Sequence, residues 1–161
     1  GKLKLMPQDR YGRRHGIDHF FASLAEDCAH QAIGVVLSGA MSDGTLGLEA
    51  IKAAGGITFA QNDTAQHDSM PRSAVASGCV DFVLPPHKIA KELARIASHP
   101  YVAPTPKPEE LGAEPSSHAR IAEIVYGALG VDFTHYKPNT LLRRITRRMV
   151  LLKIKSMKEY E

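Results

Sequence analysis

Tryptophan is absent, and Cys28 and Cys79 are the only two cysteines in 161 residues. Two scattered cysteines cannot build a disulfide framework, and their scarcity fits a reducing, cytoplasmic setting. No apolar run reaches the length of a bilayer-spanning helix, so membrane insertion is not expected. The opening stretch Gly1 to Met6 lacks the long apolar core of a secretory leader. No methionine stands at position 1, which points to a segment cut from a longer chain. The first part also lacks charge of either sign in excess: residues 1–97 hold ten Lys/Arg and ten Asp/Glu. Residues 116–161 hold nine Lys/Arg and four Asp/Glu, a net of +5 (9 − 4), so the basic character belongs to the C-terminal part.

Between these parts, residues 100–115 read PYVAPTPKPEELGAEP. Pro100, Pro104, Pro106, Pro108 and Pro115 fix φ and supply no amide donor, so an extended, semi-rigid linker is expected. Three segments follow: a first domain over 1–97, a linker over 98–115 and a second domain over 116–161.

Before the linker, helical and strand patterns alternate. Asp18 is a candidate cap for a helix whose apolar face carries Phe20, Phe21, Leu24 and Cys28. Residues 32–38 form a β-branched apolar run suited to a strand covered on both faces. A turn over 39–44, a helix over 45–54 stopped by Gly55-Gly56, and a strand over 57–60 come next. After a polar loop, Met70-Pro71 opens a helix that Gly78 closes, followed by a strand over 80–84 and a helix over about 87–97. Short connections in this order imply an α/β fold with a doubly wound, mostly parallel sheet. Ligands gather at the carboxyl ends of such strands, and the turn Gly39–Gly44 sits at one of them.

That turn carries one carboxylate, Asp43, bracketed by glycines. Asp43 could orient a histidine, bind a metal, or cap the helix beginning near Thr45; on spacing alone the cap is the favoured role. Ser38 and Ser42 lie nearby, but neither has the surroundings of a nucleophile elbow. His15 and His19 have i, i+4 spacing with no further ligand cluster, so no metal is expected.

The run from Ile17 through Pro86, with VVLSGAMSDGTLGLEAI and AQNDTAQHDSMPRSA at its centre, resembles the CheB-type protein-glutamate methylesterases over roughly residues 16–97. The resemblance implies a Ser-His-Asp hydrolase that removes methyl groups from glutamyl methyl esters on chemoreceptors, in chemotaxis signal adaptation. Asp43 matches the triad aspartate, whose role is to hold the imidazole in the right tautomer and stabilise the imidazolium. The family's serine and histidine lie upstream of this segment, so the chain alone is expected to be inactive. The family turn pattern is T/S-G-M/T-G-x-D-G; here the oxyanion-hole position falls on Ala40 and the second glycine is Met41. Any residue but proline supplies an amide, so Ala40 can still donate. Met70 and Pro71 are expected to shape the active-site rim, and Asp63 to be structural.

The second part reads as helical, with Ser116 or Ser117 capping a helix to Leu129 and a long basic helix over 140–152. On that basic helix Leu141, Leu142, Ile145, Met149 and Leu152 make an apolar stripe, and Arg143, Arg144, Arg147 and Arg148 spread over the remaining surface. Ser156 is placed to cap one more short helix. GVDFTHYKP followed by LLRRITRRM resembles the start of CheR-type receptor methyltransferases over roughly 117–161. The resemblance implies that the four arginines face acidic chemoreceptor cytoplasmic helices, with which guanidinium groups can pair in bidentate fashion. S-adenosylmethionine would belong to a domain further downstream; this segment has no glycine-rich nucleotide loop, and no cofactor is expected in it. A phosphorylated receiver domain commonly regulates the methylesterase family, but none is present.

Two other classes are open. One is a non-catalytic chemoreceptor-docking adaptor carrying a decayed esterase half. The other is a nucleic-acid-binding module built on the basic helix, disfavoured by the small basic excess and the lack of an accompanying aromatic platform.

Overall fold

The computed structural model describes Lys2, Lys4 and residues 15–99, 101–102, 117–133 and 135–161. The expected Pro-rich linker falls almost wholly outside the described residues. The chain clusters into two compact units, 1–93 and 94–161.

In the first unit, α1 (Gly16–Cys28) leads through a short 3-10 turn into β1 (Ile33–Val36). Then come α2 (Thr45–Ala53), β2 (Ile57–Gln61), α3 (Ser69–Ala76) and β3 (Phe82–Leu84). The strands lie in the order β1-β2-β3, all parallel, with Ile33 opposite Ile57 and Phe59 opposite Phe82. The α/β class with a parallel sheet therefore holds. Every residue of β2 is buried, as a flat apolar run in a central strand requires. The helices α2 and α3 both pack on β1 and β2 and on each other. Phe21 and Ala25 of α1, Val36, Leu48, Ile51, Ala74 and Cys79 form one apolar core. Burying Leu48 or Ile51 contributes about 1.5–3 kcal/mol each.

The strand expected over 80–84 begins only at Phe82. Just ahead of it, Asp81 Oδ2 accepts the Thr58 amide at 3.1 Å, and the Asp81 amide is shared between Thr58 Oγ1 at 3.0 Å and Thr58 O at 3.1 Å. The Thr58 hydroxyl donates to Cys79 O at 2.6 Å. This side-chain clasp reinforces the backbone bond from Asp81 N to Thr58 O, just ahead of the strand.

The helix α4 (Pro86–Ala97) straddles the boundary in sequence. In the second unit, α5 (Ser117–Leu129), α6 (Pro138–Leu152) and α7 (Met157–Tyr160) follow. Ile121, Ile145, Met149 and Met157 form its core, with Leu141 and Leu142 packed against it. Leu152, assigned to the same stripe by periodicity, is exposed. It is the last residue of α6, whose backbone turns left-handed at Lys153 (φ 63°). The helix starts two residues earlier than periodicity suggests because Pro138, with its fixed φ, occupies the first turn. Ser156 caps α7 as expected, accepting the Glu159 amide at 3.2 Å, while Glu159 Oε2 accepts the Lys155 amide at 3.1 Å.

Candidate active site

The loops after β1 and β2 both leave the carboxyl edge of the sheet and are laced together. Gly39 N donates to His67 O at 2.8 Å, and Met70 N donates back to Gly39 O at 3.1 Å. Ser38 N donates to Gln61 Oε1 at 2.9 Å, and His67 N donates to Ser38 Oγ at 2.9 Å. Ser38 is therefore engaged with the backbone of His67. The Met70 side chain fills the space beside Gly39: a Cβ there would stand 2.6 Å from Met70 Cε, the flexible end of that side chain.

Of the expected rim residues, Ala40 is exposed and Met70 is half-buried against Gly39. Pro71 is fully buried within α3, so Met70 is the one of the pair that offers surface. Met41 is 80% exposed and holds φ at 72°, a left-handed backbone that favours glycine. The backbone thus needs at Met41 the conformation for which glycine is best suited. Gly44, at φ 95°, takes a second left-handed step that turns the chain into α2.

Asp43 does cap a helix, but not the one that spacing suggests. Its Oδ2 accepts the Ile17 amide at 3.1 Å and its Oδ1 accepts the Asp18 amide at 3.0 Å. It thereby satisfies two orphan donors at the start of α1, while the N-cap of α2 is Gly44, which has no side chain to cap with. Asp18, expected to cap α1, instead lies in its first turn. There its Oδ1 accepts the Gly47 amide at 2.8 Å and its Oδ2 lies 3.5 Å from His15 Nδ1. Asp18 and Gly47 are far apart in sequence, and nothing local signals their pairing.

His15, Asp18 and Asp43 are the one group among the described residues whose candidate ligand atoms lie within 4.8 Å of one another. Asp43 already takes a backbone amide on each oxygen and Asp18 takes one on Oδ1, beside the positive end of a helix. Three of the four carboxylate oxygens of the pair thus already hold a backbone amide. His19 does not join the cluster.

The turn, the sheet and Asp43 all lie within the residues matched by one family model. The CheB methylesterase model matches residues 2–93. The chain belongs to the CheB methylesterase family. The model of the CheR methyltransferase all-alpha domain matches residues 117–160, so the helical second unit carries a CheR N-terminal domain. An uncharacterized 104.1 kDa protein of Rhodobacter capsulatus is 35% identical over 98% of this chain, spanning both parts, and 19% of its own length. A protein-glutamate methylesterase/protein-glutamine glutaminase of Geobacter sulfurreducens is 40% identical over 50% of this chain and 22% of its own. The chain thus spans about a fifth of the length of these relatives. The crystal structure of the Thermotoga maritima CheB methylesterase catalytic domain aligns with a TM-score of 0.48 and 34% identity, over 49% of this chain and 42% of that one.

In the CheR-type part, Arg143, Arg144 and Arg148 are exposed. Arg147 is half-buried and already engaged, so the four do not form one free surface. Arg144 stands 5.9 Å over the Tyr136 ring, and Tyr136 meets Phe133 edge-on at 5.4 Å. Beside the basic helix there is thus one edge-on aromatic pair, near Arg144. The turn before α6 folds back to bring the pair there. No helix among the described residues is long and apolar enough to cross a membrane.

Proposed function

We propose that this segment supplies the aspartate of a Ser-His-Asp methylesterase acting on glutamyl methyl esters of chemoreceptors. The observation that carries the proposal is the Asp43 carboxylate, held by two amides at the carboxyl edge of the parallel sheet inside a turn of the family's pattern. A carboxylate fixed from behind by backbone donors is oriented before an imidazole reaches it. The serine and histidine come from the upstream half of the domain. The serine attacks the ester carbonyl, the histidine takes its proton and returns it to the leaving methanol, and water activated by the same histidine then cleaves the acyl-serine to free the glutamate, with the Ala40 amide donating to the oxyanion in both steps. Several relatives are also named protein-glutamine glutaminases, and the same acyl-transfer site would deamidate a glutamine with release of ammonia.

The α6 arginines serve docking on acidic receptor helices, through Arg143, Arg144 and Arg148 in particular. A downstream methyltransferase domain, if joined, would bring S-adenosylmethionine. Adding and removing the same methyl group in one polypeptide gives the two units a common substrate.

The test is methanol release from methylated receptor by three proteins. These are this chain, a chain extended upstream through the whole esterase domain, and the extended chain with Asp43→Asn. Release by the extended wild type alone supports the proposal. Release by this chain would assign the chemistry to local residues. No release by any, with receptor binding retained, favours the docking adaptor.

A further inference from the structure

We infer that Asp18 is a positioning residue for Asp43, acting through a clamp between the starts of α1 and α2. This rests on the methylesterase proposal and extends it to a residue outside the triad.

Asp43 gains its orientation from the Ile17 and Asp18 amides, so its accuracy depends on where the first turn of α1 sits. Within these contacts two features fix that turn. The first is Gly47 in α2, which lets the helices touch at backbone distance. A Cβ at position 47 would stand 2.5 Å from Phe21 Cβ, 3.0 Å from Asp18 Cα and 3.1 Å from Asp18 O. The second is the Asp18 carboxylate, whose Oδ1 accepts the Gly47 amide at 2.8 Å. Gly47 lies in the first turn of α2, where amides lack intrahelical partners, so Asp18 supplies an acceptor that α2 needs. The result is a closed loop of support. Asp43, leading into α2, holds α1 by its backbone; Asp18, on α1, holds α2 by its backbone.

Neither bond alone fixes both helices. Together they leave the Asp43 carboxylate little freedom to swing, which is the condition for aligning a catalytic imidazole. His15, at 3.5 Å from Asp18 Oδ2, flanks the clamp on its exposed side.

The test uses the chain extended through the whole esterase domain, with Asp18→Ala and Asp18→Asn. Asparagine retains an oxygen for the Gly47 amide, and alanine does not. The expected result for Asp18→Ala is a kcat lowered about 10–100-fold with KM within about twofold. Asp18→Asn should recover most of that loss. Amide hydrogen exchange at Ile17, Asp18 and Gly47, read in this chain itself, should speed up in Asp18→Ala and stay slow in Asp18→Asn. Wild-type kcat in Asp18→Ala overturns the inference, as does an equal loss in both variants. A fall in kcat that tracks only the loss of folded protein also overturns it, because that is a structural role. If extended wild type releases no methanol, the methylesterase proposal fails instead, and the exchange measurement alone decides whether the clamp exists.

Discussion

The Asp18 amide donates to Asp43 Oδ1 at 3.0 Å, joining the start of the first helix to a turn that lies beyond the first strand. Asp43 is therefore a structural residue of α1 as well as the candidate triad member. Replacing it with alanine removes the acceptor of two helix N-terminal amides. A loss of about 1–2 kcal/mol is expected. Asparagine, which keeps one good acceptor, should lose less. Urea unfolding of the two variants against the parent measures this, and it is the reason Asp43→Asn serves better than alanine in the activity test.

Met41→Gly should stabilise the chain. The side chain is 80% exposed, so little packing is lost, and the left-handed φ of 72° no longer strains a Cβ. The gain expected is about 0.5–1 kcal/mol, the left-handed penalty less the extra flexibility of glycine in the unfolded chain. In the extended chain the same change should raise kcat if the Ala40 amide is better aimed at the oxyanion. Thermal melts and methanol release check the two halves separately.

Asp81→Ala should be among the more damaging single changes in the first unit. It strips the acceptor from the amide of Thr58, a residue with no exposed surface, and removes the partner of Lys52 at 3.5 Å. An orphaned buried donor costs about 1–3 kcal/mol. Thr58→Val with Asp81→Ala should lose less than the sum of the single changes. A double-mutant cycle by denaturant unfolding tests this.

The second unit should weaken in mild acid through His99. Burial lowers the pKa of this histidine below its ordinary 6.5, with the Arg95 charge adding to the effect. Its Nδ1 accepts the Tyr101 amide at 3.2 Å, which a protonated ring could not do. Folded protein holds the proton less well than unfolded protein does. The stabilisation is therefore complete above about pH 6.5 and declines as pH falls from there through the lowered folded value. His99→Gln should flatten that part of the pH–stability curve, and an unchanged slope would assign it elsewhere.

Docking by α6 should be sensitive to salt and to the exposed arginines. Arg143→Glu with Arg148→Glu is expected to weaken binding to an acidic receptor helix at least tenfold in low salt, with less effect at high salt. Arg147 is left out because it is already engaged within the structure. Equal or stronger binding of duplex DNA by the parent would instead favour the nucleic-acid module, to which Tyr136 beside Arg144 lends an aromatic surface.

Much of the architecture was legible in the chain itself. The apolar runs at 33–36 and 57–61 have no helical period and alternate with capped or glycine-stopped helices, and short connections then force parallel strands. The glycine-bracketed turn marked the end of the first strand, and the order of motifs carried the family resemblance. These are local properties, and local steric and hydrophobic rules determine them. What only the tertiary structure decided is which partners meet across long separations. Asp43 caps α1 rather than α2, Asp18 serves Gly47 rather than its own helix, and Asp81, just ahead of the third strand, clasps Thr58. A carboxylate accepts from whichever amide packing brings within about 3 Å. That choice depends on how closely two helices approach, and here a glycine at position 47 sets the approach.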